Sequence, residues 1–334
     1  MRLGLSAETY RWIAFPWMRT DTSKFRATGH YAPYTLSTAP PKLDAFVPDW
    51  LLARSVAHGL KVLTCDVGLL GDIAQARAFG QRCTAVGVEL LGSVSLDLAA
   101  GPDAWNTASS TQDAARFDAE QASSLRTGWI GASEMAIASV AMTLAKAAGI
   151  STLSLVHGQP GRAHRYDSSE PVARQLDRMA SNASSLVPEA AALELTLALE
   201  PHMDFRCGEF VRVIEAVGSS NLRLVFDVAN PLSVNEDPLD AVVRVAPYTV
   251  ATHLRDMRVQ ALTEIATGAF FHTPIGEGSV PLAEILQVLN DECPNAGPLP
   301  CCLKVVTRPE HDVEAWLMAS VASVRENHAP YWSD

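Results

Sequence analysis

Short runs rich in leucine and β-branched residues alternate along the chain with longer stretches whose apolar residues recur every three or four positions. The short runs read as strands buried on both faces, and the longer ones as amphipathic helices. Eight strands are predicted, near Arg2–Glu8, Lys61–Val67, Val88–Leu96, Thr152–His157, Leu195–Glu200, Leu222–Asp227, Val250–Leu254 and Cys301–Val306. Ser139–Gly149 is the clearest helical stretch, with Gly149 as its stop signal. Helical spacing also marks residues 72–87, 170–187, 209–218 and 312–327. A strand repeatedly followed by a helix is the pattern of a parallel sheet, and eight such units predict an α/β fold closed as a (β/α)8 TIM barrel. The expectation is one barrel domain over residues 1–334. A doubly wound open sheet is the alternative, but no Gly-x-Gly-x-x-Gly follows the first strand.

Two stretches exceed the minimal repeat. Residues 9–41 carry Tyr10, Trp12, Phe15, Trp17, Phe25, Tyr31 and Tyr34, and residues 101–131 are polar with Trp105 and Trp129. Both follow strands, so both are expected on the C-terminal face, where barrels bind ligands. They suit a substrate cover or a partner-docking surface; a structural elaboration is the other reading. The formal net charge of −11 argues against nucleic acid as a partner. Hydrophobic residues make up 48% of the chain, enough for a large core, yet no apolar run is long enough for a membrane span. The opening MRLGLSAETYRW lacks a long apolar segment, and a cytoplasmic protein is expected. Cys65, Cys83, Cys207, Cys293, Cys301 and Cys302 form no Cys-x-x-Cys pair and read as reduced core thiols.

Polar residues gather at the strand ends. The fifth strand ends on Glu200, the sixth on Asp227, and the seventh carries His253. Asp227 follows Glu200 by 27 residues and His253 follows Asp227 by 26, each close to one βα unit. Equivalent positions on consecutive barrel strands converge, and two carboxylates with an imidazole suit a divalent cation such as Mn²⁺, Mg²⁺, Co²⁺ or Zn²⁺. Taken singly, each also reads as a helix cap, an ion-pair partner or a core histidine.

Glu-Pro after the fifth strand, Phe-Asp-x-x-Asn-Pro at the sixth, His-x-Arg-Asp at the seventh, and Ile275-Gly276-Glu277-Gly278 with Val280 and Leu282 occur in order. This series resembles the xylose-isomerase-like TIM-barrel superfamily of sugar isomerases, epimerases and endonuclease-IV-like proteins, best over Leu195–Val306. The resemblance implies that Glu200, Asp227 and His253 are metal ligands. It also implies that Asn230 and Arg255 bind substrate, while Asp256 contacts substrate or orients His253. The family usually completes its site with a glutamate on the eighth strand, whereas the nearest residue here is Lys304. Three readings are open. The ion is held by three protein ligands plus water or substrate; Lys304 is an acid or base; or the Lys304 ammonium replaces the ion between Glu200 and Asp227. The first two are preferred because the other three ligands are intact.

At the fourth strand, His157 is a candidate general base, with a structural histidine held by backbone as the equal alternative. Arg162, His164 and Arg165 follow it, and His202 is a candidate substrate contact. With Glu200 and Lys304 as further acid/base candidates, these residues suit proton abstraction next to a carbonyl through an enediolate. The expectation is a divalent-metal-dependent sugar isomerase or epimerase, with Mn²⁺ first among the ions. One alternative is a lyase resembling the large subunits of C-glycoside deglycosylases, which act on 3-oxo-glycosides and dock a small second subunit. Another is a non-catalytic sugar-binding or partner subunit with a degenerate metal site. The expected partners are a small carbohydrate or glycoside and either further copies of the chain or a small second subunit.

Overall fold

The eight short apolar runs all become strands: β1 (Arg2–Ser6), β2 (Val62–Asp66), β3 (Glu89–Ser95), β4 (Thr152–Val156), β5 (Thr196–Glu200), β6 (Leu222–Asp227), β7 (Thr249–Leu254) and, last in the chain, β10 (Pro300–Leu303). They close a parallel barrel in the order β1-β10-β7-β6-β5-β4-β3-β2. The computed structural model describes residues 1–11, 46–105, 133–158, 162–166, 169–262, 267–308 and 311–333. Most of the two long stretches singled out in the sequence lies outside the described residues. At their described edges, the Tyr10 hydroxyl donates to Glu314 Oε2 at 2.6 Å and the Trp105 indole N–H donates to Asp97 O at 3.0 Å.

The barrel bore is filled by Val62, Leu91, Ala198, Val225, Ala251 and Cys302, drawn from six strands into one buried cluster. Burying each Val or Leu of this kind stabilises the fold by roughly 1.5–3 kcal/mol, so the bore is a packed core and not a channel. A second, larger cluster joins the outer strand faces to the helices. Those helices are α1 (Val47–Ala57), α2 (Ile73–Ala85), α3 (Glu134–Ala147), α4 (Val172–Ala192), α5 (Cys207–Val217), α6 (Pro238–Val245), α7 (Leu282–Glu292) and α8 (Val313–Asn327).

Local sequence explains where several of them begin and end. Asp72 and Gln75 exchange side-chain and backbone bonds in a capping box at the start of α2. The Ser133 hydroxyl accepts from Ala136 N at 3.2 Å, so α3 begins before the Ser139 expected from periodicity. Asp237 accepts from Leu239 N at 2.8 Å and Pro238 occupies the first turn of α6. Gly218, with φ near +65°, ends α5 in the left-handed conformation that favours glycine.

One element was not anticipated. Between β7 and α7 the chain forms an antiparallel hairpin, β8 (Asp256–Leu262) with β9 (Thr267–Thr273), outside the barrel sheet. It follows the C-terminal end of β7 and so stands beside the strand ends that carry Glu200, Asp227 and His253. All six cysteines are buried and unpaired. Among the described residues, no helix is long and apolar enough to cross a membrane.

Candidate active site

The ladder register brings the key side chains together. Asp227 on β6 lies opposite His253 on β7, and His253 lies opposite Cys302 on β10. Lys304 follows β10 by one residue and continues the ladder, its N–H donating to Leu254 O at 2.9 Å. On the other side, the Thr9 hydroxyl donates to Leu303 O at 3.0 Å and accepts from Val305 N at 3.1 Å. The main chain around Lys304 is thus pinned to its neighbours on both flanks.

Glu200, Asp227, His253, Arg255 and Lys304 are all buried at this mouth. Lys304 Nζ donates to Glu200 Oε1 at 2.9 Å and lies 3.3 Å from Asp227 Oδ2. His253 Nδ1 is 3.1 Å from Glu200 Oε1; since a carboxylate only accepts, Nδ1 carries the proton. Ser154 Oγ donates to Glu200 Oε2 at 3.1 Å. Asp227 Oδ1 accepts from the N–H groups of Ala229 and Asn230 at 3.0 and 3.1 Å, and its Oδ2 accepts from Arg255 at 3.1 Å. The same guanidinium nitrogen reaches Asn230 Oδ1 at 3.0 Å, and the Asn230 amide donates to Pro201 O at 2.9 Å. Asn230 and Arg255, expected to bind substrate, are here engaged in holding Asp227; among the described residues, Arg255 Nε has no partner.

Charge states follow from this packing. Burial pushes the Glu200 carboxyl up, but Lys304 and His253 outweigh it and hold Glu200 well below the usual carboxylate range. Burial likewise opposes Arg255 and Lys304 at Asp227, and the cations again win. At Lys304 burial favours the neutral amine, yet Glu200 and Asp227 prevail and raise its pKa, so it is an ammonium. Two carboxylates thus face two cations.

His202 and His272 complete the mouth. Burial and Lys304 press the His202 pKa down to about 4. Burial and Arg255 press that of His272 down to about 3. Both are neutral at pH 7, and in both the Nδ1 atom is buried without a partner among the described residues. His272 escaped the sequence reading because it comes from the unanticipated hairpin. Glu8, just past β1, was also missed. It pairs with Arg11, and both Lys304 and Glu200 influence its ionisation. Its signal was available: it follows its strand as Glu200 and Asp227 end theirs.

Two sequence-derived candidates have other employment. His157 Nδ1 accepts from Leu98 N at 3.2 Å and Nε2 meets Ala163 O at 2.9 Å, so neither nitrogen is left to serve as a base. Of its two readings, the geometry favours the structural one. Arg162 donates to the carbonyls of Leu96, Val156 and His157, joining the ends of β3 and β4. Asp256 does not orient His253: its carboxylate accepts from the N–H groups of Met257, Gly276, Gly278 and Val280 at 2.8–3.1 Å. It anchors the Gly-rich turn to the base of the hairpin.

Glu200, Asp227 and His253 each present a ligand atom, and these atoms lie within 4.8 Å of one another, a grouping that could hold a metal ion. The neighbouring charges fit such an ion poorly. A unit charge and a divalent ion about 4 Å apart repel by roughly 8 kcal/mol at an effective dielectric of 20. The ammonium already forms ion pairs with two of the three donor groups, Glu200 and Asp227.

A closed parallel barrel with carboxylates and an imidazole converging at the C-terminal ends of β5 to β7 defines the class as a TIM barrel. Residues 128–314, more than half of the chain, match the xylose isomerase-like TIM barrel family, and the chain belongs to that family. It is 32% identical over 97 residues to the uncharacterized protein YihM of Escherichia coli (strain K12); the match spans 28% of each chain. Among solved structures, it resembles a D-psicose 3-epimerase from Clostridium cellulolyticum H10, solved with D-tagatose, at 11% identity and a TM-score of 0.62 over 100% of both chains. It likewise resembles the IolI protein, solved with a zinc atom bound, at 10% identity and a TM-score of 0.62 over 100% of both chains. At such identities these likenesses speak for the fold alone.

Proposed function

We propose that this chain is a sugar isomerase or epimerase that moves a proton on or off the carbon next to a carbonyl. The observation that carries this reading is the buried pairing of the Glu200 carboxylate with the Lys304 ammonium, 2.9 Å apart at the barrel mouth. Proton removal beside a carbonyl needs a base and a fixed positive group for the developing enediolate oxygen. Glu200 is the base through Oε2, which among the described residues only Ser154 engages, and its affinity for a proton rises as Lys304 turns its charge to the enediolate oxygen. Lys304 stabilises the oxyanion, and Arg255 keeps Asp227 ionised beside it. A proton returned to the opposite face gives the epimer, and one returned to the neighbouring carbon gives the isomer. His202 and His272, both neutral, are the groups available to relay it. Membership of a family named for xylose isomerase supports the choice of substrate class. Dependence on a divalent ion, Mn²⁺ first, is the alternative form of this reading; it requires Lys304 to leave two of the three donors.

One observation favours a second reading. A cavity of about 450 Å³ is lined by Arg258, Phe271, His272, Arg308, His311 and Trp316. It shares His272 with the mouth and has room for a ring beyond the reacting sugar. Proton removal next to a keto group would then expel a leaving group, as in a lyase acting on a 3-oxo-glycoside.

Incubation with aldoses, ketoses and 3-oxo-glycosides, followed by chromatography, separates the two. The expected outcome is an epimer or isomer of a free sugar, with Glu200→Gln slowed about 100-fold or more. Release of an aglycone with no change in any free sugar would sink the isomerase reading in favour of the lyase. No turnover of any of them would favour a non-catalytic barrel.

A further inference from the structure

The ammonium occupies the place that the donor set would give to an ion. Glu200, Asp227 and His253 offer ligand atoms within 4.8 Å of one another, and Lys304 Nζ bonds a carboxylate oxygen of the first at 2.9 Å and lies 3.3 Å from one of the second. His253 directs its Nδ1–H to Glu200 Oε1, which leaves Nε2 as the nitrogen it could offer to an ion. Charge is already balanced, Lys304 and Arg255 facing Glu200 and Asp227, with Arg11 paired to Glu8 alongside. Lys304 is no surface side chain swung inward. It is buried, and its backbone is held by Leu254 on one side and by Thr9 on the other. An ammonium has three N–H donors. One bonds Glu200, the Asp227 carboxylate pairs with Nζ at 3.3 Å, and no other acceptor bonds Nζ among the described residues.

We propose that Lys304 is this chain's built-in replacement for a divalent ion: the site works without metal, and an N–H of Lys304 not spent on Glu200 binds the substrate's carbonyl oxygen. This rests on the sugar reading only for the oxygen that the ammonium meets. Metal content and unfolding are measured without substrate, so failure of this inference and failure of the sugar reading are separate results.

The test is elemental analysis of the wild-type chain purified without chelator, together with thermal unfolding in EDTA and in excess Mn²⁺. Expected is less than about 0.1 divalent ion per chain and a Tm shift below about 1 °C in either condition, because a ligand that does not bind the folded state cannot stabilise it. Lys304→Glu, which restores a carboxylate and removes the competing charge, is expected to take up about one Mn²⁺ per chain and to gain Tm as Mn²⁺ is added. Lys304→Gln serves the same purpose if the glutamate variant does not fold. One ion per wild-type chain, with Tm falling on chelation, would overturn the proposal. So would failure of every folded Lys304 variant to bind Mn²⁺, because the three donors would then be no metal set for Lys304 to replace.

Discussion

At the scale of single residues, the ionisation of the mouth is set by burial and by partners that oppose it. Glu200 and Asp227 have lowered folded pKa values. Their contribution to stability is therefore present above the unfolded values of about 4 and lost as pH falls through the lower folded ones. Lys304 has a raised value, so its contribution is complete below about 10.4 and lost as pH rises through the higher folded value. Neither window touches neutrality. The histidines do: unfolded they titrate near about 6.5, whereas His202 and His272 titrate at about 4 and about 3 when folded. Between those limits the unfolded chain binds more protons, so stability falls as pH drops below about 6.5. Urea unfolding across this range is expected to show that loss, with His202→Gln removing on the order of 1–2 kcal/mol of it. An unchanged pH slope in the variant would show that His202 is not held neutral. Glu200, Asp227 and His253 could be picked out because they lie at or next to the ends of consecutive strands, about one βα unit apart. The role of His157 could not, since its two partners, Leu98 and Ala163, lie in loops whose meeting no local pattern fixes.

At the scale of elements, the barrel strands were legible and the hairpin was not, for one physical reason. A strand packed on both faces writes itself as an unbroken apolar run. The β8–β9 hairpin stands outside the barrel and is buried chiefly at Asp256, Met257 and Thr273, so it leaves no periodic hydrophobic signal. What fixes its base is polar: the buried Asp256 carboxylate gathers four backbone N–H groups, three of them from the turn at Gly276–Val280. Gly278 approaches so closely that an added Cβ would lie 2.0 Å from Asp256 Oδ1 and 2.6 Å from Met257 O. Asp256→Ala strands these donors, each buried unsatisfied group costing about 1–3 kcal/mol, and is expected to destabilise the chain by roughly 3 kcal/mol or more in urea unfolding. A loss below about 1 kcal/mol would mean that the turn finds other acceptors. Because the hairpin also delivers His272, the same variant should slow any sugar reaction that uses that residue.

At the scale of the whole molecule, alternating strands and helices foretold the closed barrel, and the ordered motifs from Glu200 to Gly278 foretold the family. The sequence also exposed Lys304 as a departure, but left three roles open for it. The role proposed for it rests on its distances to Glu200 and Asp227, which depend on how β10 closes against β7 and β1. The measurement that bears most directly on the proposed chemistry is solvent deuterium exchange, followed by proton NMR on whichever sugar or 3-oxo-glycoside the wild type turns over. Expected is wash-in of deuterium at one carbon next to the carbonyl, at the turnover rate or faster, and at least about 100-fold slower in Glu200→Gln. Turnover without deuterium at that carbon, or equal exchange in Glu200→Gln, would contradict proton transfer by the Glu200–Lys304 pair.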